Sequence, residues 1–142
     1  MKKTLLFVLS LLILASLNFS CSKDKDDELS ITTLTGAGTW NNPFKLPVGT
    51  TKANIEPGSN LYEFPYSIGE IYTINLSKFT QDLDLSVVIG NGANMGNNLT
   101  NSTNEGLDNE EVTYTFSQEY LYLYIENLED DPTDFTITIT KK

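Results

Sequence analysis

The chain has 142 residues, with nine Lys, no Arg, 19 acidic residues and no His, for a formal charge of −10. That length suits one domain, and 39% hydrophobic residues with seven Tyr, seven Phe and one Trp can fill one core. The missing His excludes Ser-His-Asp and Cys-His catalysis and His-ligated zinc within the chain; an acidic chain without Arg is a poor binder of nucleic-acid phosphate; one Cys permits no internal disulfide.

Met1-Lys2-Lys3 is a short basic start, followed by an apolar run from Leu5 to Leu17 that only Ser10 and Ser16 interrupt. A helix over that run is about 20 Å long, short of the ~30 Å hydrocarbon core, so it reads as a signal-peptide core and not as a spanning helix. Leu17-Asn18-Phe19-Ser20-Cys21 then places a small residue before the single Cys. This segment resembles a bacterial lipobox, with Asn18 and Phe19 departing from the commonest pattern. The resemblance implies removal of residues 1–20 and lipidation of Cys21, a membrane anchor made by acyl chains. The remaining 122 residues carry seven Lys against 19 acids, a charge of −12.

Ser22-Lys23-Asp24-Lys25-Asp26-Asp27-Glu28 follows directly, and a charge run of this kind is physically a solvated tether. Its position and order resemble the export signal of surface lipoproteins in Bacteroidetes. By that resemblance Lys23, Asp24, Asp26, Asp27 and Glu28 direct the protein to the outer face of the outer membrane; the alternative is a lipoprotein facing the periplasm. Residues 21–39 are expected as lipidated Cys and linker, with Gly36 and Gly38 as breaks.

From Trp40 onward, period-two segments recur between turn residues. Tyr62, Phe64 and Tyr66 alternate with Leu61, Glu63 and Pro65, and Ser67-Ile68-Gly69-Glu70 reads as a turn. Strands are expected around Tyr72–Leu76, Leu83–Ile89, Val112–Phe116, Leu121–Ile125 and Phe135–Ile139, each with one apolar face. Phe44–Leu46 and Thr51–Ile55 are weaker candidates. Gly90 to Asn109, with seven Asn and four Gly, reads as a flexible loop; it lacks the Lys-Ser/Thr ending of a phosphate loop. About eight short strands without a helix predict an all-β antiparallel sandwich or barrel over residues 40–142.

The order Trp40-Asn41-Asn42-Pro43-Phe44, Leu61-Tyr62-Glu63-Phe64, Gly69-Glu70-Ile71-Tyr72, Asp82-Leu83-Asp84-Leu85-Ser86-Val87, Tyr120–Glu126 and Phe135–Ile139 resembles the bacterial pre-peptidase C-terminal domain. The resemblance implies a jelly-roll-like β-sandwich. That domain is often appended to secreted proteases, and no peptidase segment precedes it in this sequence, so the expectation is a non-enzymatic binding module.

Three groups of residues are candidate sites. Asp82 and Asp84, two apart on a strand, either share a face and bind Ca²⁺ or bond neighbouring backbone at the sheet edge. Asp130, Asp131 and Asp134, in the stretch Glu129–Asp134, either hold a hard cation or form a solvated turn; calcium is the one cofactor the sequence suggests. Tyr120, Tyr122 and Tyr124 lie on the face opposite Leu121, Leu123 and Ile125. Exposed, they offer flat rings to sugar units or extended polypeptide; otherwise they are covered by a second layer. Relatives of this domain in clostridial collagenases grip collagen, which agrees with the exposed alternative. The expected function is therefore a lipid-anchored envelope protein that binds an extracellular polysaccharide, polypeptide or partner protein. The rival is an accessory subunit that tethers another envelope protein and has no ligand of its own.

Overall fold

In the computed structural model, residues 29–90 and 95–142 are described. The signal segment, Cys21 and the export residues Lys23, Asp24, Asp26, Asp27 and Glu28 lie outside them. The described residues form nine strands: β1 (Phe44–Lys45), β2 (Gly49–Ile55), β3 (Gly58–Glu63), β4 (Glu70–Ser77), β5 (Leu83–Gly90), β6 (Met95–Ser102), β7 (Glu110–Phe116), β8 (Leu121–Asn127) and β9 (Thr133–Lys141). Two sheets result, β1-β3-β8-β5-β6 and β2-β9-β4-β7. Only the short β1–β3 pair is parallel. After β6 the chain alternates between the sheets, so β8 and β9 each lie inside a sheet, flanked on both sides. This is a β-sandwich, as the alternating pattern implied.

Alternation decides which face is buried. Leu83, Leu85 and Val87 of β5, Leu121, Leu123 and Ile125 of β8, Ile74 and Leu76 of β4, and Phe135, Ile137 and Ile139 of β9 meet in one core between the sheets. Each such side chain, fully buried, contributes roughly 1.5–3 kcal/mol relative to exposure. One end of the core is aromatic: Phe64, Tyr66, Tyr72 and Phe116 stack tilted or edge to face with centroids 4.8–5.7 Å apart. The turn from Ser67 to Glu70 closes with Gly69 at φ +91°, a conformation that a Cβ would disfavour.

The outer face of the four-stranded sheet is polar and rich in threonine. Thr50 bonds Thr138 at 3.2 Å, and Thr73 bonds Thr113 at 2.8 Å. Ile71 is the exposed apolar residue there. The outer face of the five-stranded sheet is different: Leu61, Val88 and Tyr122 form a second apolar cluster, covered by Trp40 and flanked by Tyr124.

Two boundaries differ from expectation. The Asn- and Gly-rich stretch taken for a loop contains β6, which pairs with β5 through a bulged register between Val87 and Gly90. Its sequence carries almost no apolar alternation, and among its described side chains Leu99 alone packs on the core; pairing along the edge of β5 overrides low strand propensity. Part of the stretch taken for linker is also bonded down: Thr32 N–H to Lys52 O at 2.7 Å, Lys45 N–H to Thr35 O at 2.9 Å, and Leu61 N–H to Gly38 O at 2.9 Å. Glycine at 38 is required, since a Cβ would sit 2.5 Å from Asn60 Oδ1 and 2.8 Å from the Phe44 ring.

Candidate functional site

The three tyrosines do not form one exposed stripe. Tyr122 is 9% exposed, with the Trp40 indole edge-on at a centroid separation of 5.6 Å. Tyr124 is half-buried and bonds the Ser59 hydroxyl at 2.5 Å. Tyr120 alone is open, at 61%, and it stands just before β8. The cover over Tyr122 is Trp40, carried on the N-terminal strap of residues 32–42, and not the second sheet.

Around Tyr120 the surface is concave. Glu63, Phe64, Pro65, Tyr66, Tyr120, Leu121 and Tyr122 line an open groove of about 350 Å³. Local chain geometry makes it. β3 ends at Glu63, and Pro65 cannot donate to a ladder, so the chain turns off the sheet and swings Tyr66 beneath the turn that precedes β8. The Tyr66 hydroxyl donates to Gln118 O at 3.1 Å and accepts from Leu121 N–H at 3.1 Å, fixing both ends of that turn. Tyr120 O accepts from Gly90 N–H at 2.9 Å.

Tyr120 adopts φ +61°, the left-handed region. For a side chain with a Cβ this costs on the order of 1–2 kcal/mol, and aromatic residues occupy it rarely. A strained, exposed ring at the mouth of a groove is the kind of outlier that points to a binding role. Carboxylates also bear on the groove tyrosines. Burial raises the Tyr66 hydroxyl above its ordinary pKa, the Leu121 bond opposes this, and Glu119 and Glu63 add to it. Burial and then Glu63 likewise raise Tyr122. Lys45, beside Glu63 in the β1–β3 pair, forms an ion pair with it.

The acidic candidates are dispersed. Asp84 faces outward from β5, directly opposite Glu126 of β8. Burial and then Glu110, Asp82 and Glu126 push its carboxyl above the usual range. Asp82 precedes β5 and accepts Leu128 N–H through its carbonyl at 3.1 Å, while its Oδ1 is buried without a partner. Asp134 accepts from Asn54 at 3.0 Å and lies 3.8 Å from Lys52, on the other sheet. Asp130 and Asp131 are exposed on the β8–β9 turn. That turn is held by buried Asn127, which donates to Asp131 O at 2.8 Å and accepts from Glu129 N–H at 3.2 Å. Among the described residues no three acidic, His or Cys side chains converge as a metal site.

Sequence reasoning missed Tyr66, Glu63 and Pro65 as companions of Tyr120. The signal for them was present, since Pro65 interrupts a strand pattern next to an alternating tyrosine. Glu110 was missed too: it is fully buried, with Oε1 accepting Asn104 N–H at 2.8 Å.

No protein-family model matches the chain, and no curated protein matches it. Among solved structures, it is similar to the pre-peptidase C-terminal domain of a collagenase from Bacillus anthracis. That likeness covers 68% of this chain and 92% of the other, with 12% sequence identity and a TM-score of 0.51. The described sandwich therefore has the fold of a pre-peptidase C-terminal domain.

Proposed function

We propose that this protein is a non-enzymatic envelope lipoprotein, anchored through Cys21 and displayed on the cell surface, whose sandwich binds an extracellular polymer in the Tyr66–Tyr120–Tyr122 groove. The observation that carries the binding role is Tyr120: an open aromatic ring, held in a costly backbone conformation over a preformed concavity. The anchor rests on the sequence alone, through the lipobox-like segment ending at Cys21 and the acidic run after it. Acyl attachment needs no positive patch, and a net-negative domain is held off an anionic membrane, leaving the groove accessible.

Two measurements test this reading. Mass spectrometry of the native protein is expected to find acyl chains on Cys21, and protease treatment of intact cells is expected to cleave it; an unmodified thiol removes the anchor. Native protein passed over immobilised polysaccharide and polypeptide polymers is expected to be retained in a Tyr120-dependent way. Retention of no polymer, with one stoichiometric envelope partner recovered instead, replaces this reading with the accessory role.

A further inference from the structure

We infer that the groove beside Tyr120 is a subsite for an uncharged sugar unit of a polysaccharide, with the Tyr120 ring as its stacking platform and Glu63 as its hydroxyl acceptor. This rests on the reading of the groove as the polymer contact and narrows it to one ligand class.

Several main-chain groups around the groove are already bonded. Glu63 O is taken by Leu46 N–H at 2.9 Å, Gln118 O and Leu121 N–H by the Tyr66 hydroxyl, and Tyr120 O by Gly90 N–H. Pro65 has no N–H, and β8 is paired on both sides, with β3 and with β5. Strand addition to β8, in which an extended peptide bonds a free edge, is closed here. Recognition is left to ring faces and side-chain tips. A pyranose suits such a surface because one face of its ring is C–H-rich and its hydroxyls project around the rim.

Charge narrows the class further. Glu63 acts on both Tyr66 and Tyr122, and Glu119 acts on Tyr66. Lys45 pairs with Glu63 and also acts on Tyr122, so the carboxylate left without a cation is Glu119, beside Tyr66. A uronate or sulfated chain would be repelled, whereas a neutral hydroxyl can donate to the half-buried Glu63 carboxylate. At about 350 Å³ the concavity is at the small end of the ~300–1,000 Å³ span of small-molecule sites, suited to a short stretch of chain.

The left-handed backbone at Tyr120 supplies a clean test. Glycine takes that conformation without strain, so Tyr120→Gly removes the platform while the fold keeps its turn. The probes are soluble neutral polysaccharides (a β-glucan, a galactomannan, a dextran), the anionic polymers polygalacturonate and heparin, and gelatin. The full mature protein is run through gels containing each. At least one neutral polysaccharide is expected to retard it, unaffected by added salt. Tyr120→Gly is expected to weaken that by about tenfold or more with a melting temperature within about 3 °C of the parent. Ile71→Ser, on the opposite outer face, is expected to leave retardation unchanged. Tyr120-dependent retention by gelatin or an anionic polymer alone overturns the sugar assignment and leaves the groove standing as the polymer contact. No Tyr120-dependent retention by any probe overturns both.

Discussion

The Trp40 indole meets the Tyr122 ring edge-on, with the ring planes at 82°. Gly90 makes the seat: a Cβ there would stand 2.5 Å from Trp40 Cζ3 and 2.9 Å from Tyr122 Cε2. Because Trp40 is the only Trp in the chain, its emission reports this contact alone. Gly90→Ala is expected to shift that emission to the red and to cost about 1–3 kcal/mol by overpacking, read by urea denaturation. Unchanged emission and unchanged stability would mean that the strap does not seat on Gly90.

Tyr66 has two roles that a single atom separates. Its ring packs on Phe116 and Phe64, and its hydroxyl bridges Gln118 O and Leu121 N–H. Tyr66→Phe keeps the ring and removes the bridge. The expected cost is about 1–3 kcal/mol, since Leu121 N–H is left without its acceptor. Faster amide exchange at Leu121 in the variant checks the assignment, and equal exchange in both proteins refutes it.

Asp84 and Glu126 are like charges directly across two strands, an arrangement that destabilises a sheet. Burial first, and then the neighbouring carboxylates, raise the Asp84 pKa above its ordinary 3.8. The folded chain thus takes up this proton at a higher pH than the unfolded chain. The resulting stabilisation is complete below the unfolded value and is lost as pH rises through the folded one. Asp84→Asn is expected to be more stable than the parent at pH 7 by about 0.2–1 kcal/mol, with the gain fading towards pH ~3–4 where the parent is protonated. Denaturation midpoints at the two pH values measure it; a variant less stable at pH 7 would reverse the sign.

Asn127 organises the acidic β8–β9 turn through its own amide, both of whose ends are engaged. Replacing it with Ala is expected to cost about 1–3 kcal/mol, because a buried amide supporting two backbone groups is lost. The same geometry predicts that the turn needs no cation. Melting temperatures in millimolar calcium and in chelator are expected to coincide, whereas a rise with calcium would establish a metal role for Asp130, Asp131 or Asp134.

Alternation along the chain was enough to place the core. Leu83, Leu85, Val87, Leu121, Leu123, Ile125, Phe135, Ile137 and Ile139 all read as one-faced strands, and all meet between the sheets. β6 was hidden because an edge strand with one apolar contact at Leu99 leaves no period to find. The site was legible only in part. Tyr120, Tyr122 and Tyr124 read as one group, exposed or covered together, whereas the cover on Tyr122 comes from Trp40, far away in the chain and in no periodic relation to it. Likewise, nothing local ties Tyr66 to Gln118 and Leu121; that bond exists only once β3 and β8 are paired.

The strap that hides Tyr122 is also where any load on the N-terminal end enters the domain. Its attachments to the body include Thr32 to Lys52, Thr35 to Lys45 and Gly38 to Leu61, followed by the Trp40 seat. Because these are spaced along the strap, a pull from that end is expected to release them one after another. Releasing residues 32–42 pays out about 36 Å of chain before the paired strands of either sheet bear tension. The Trp40 seat comes last in that order, so a pull that releases it uncovers the Tyr122 ring beside the groove while the sandwich stays shut.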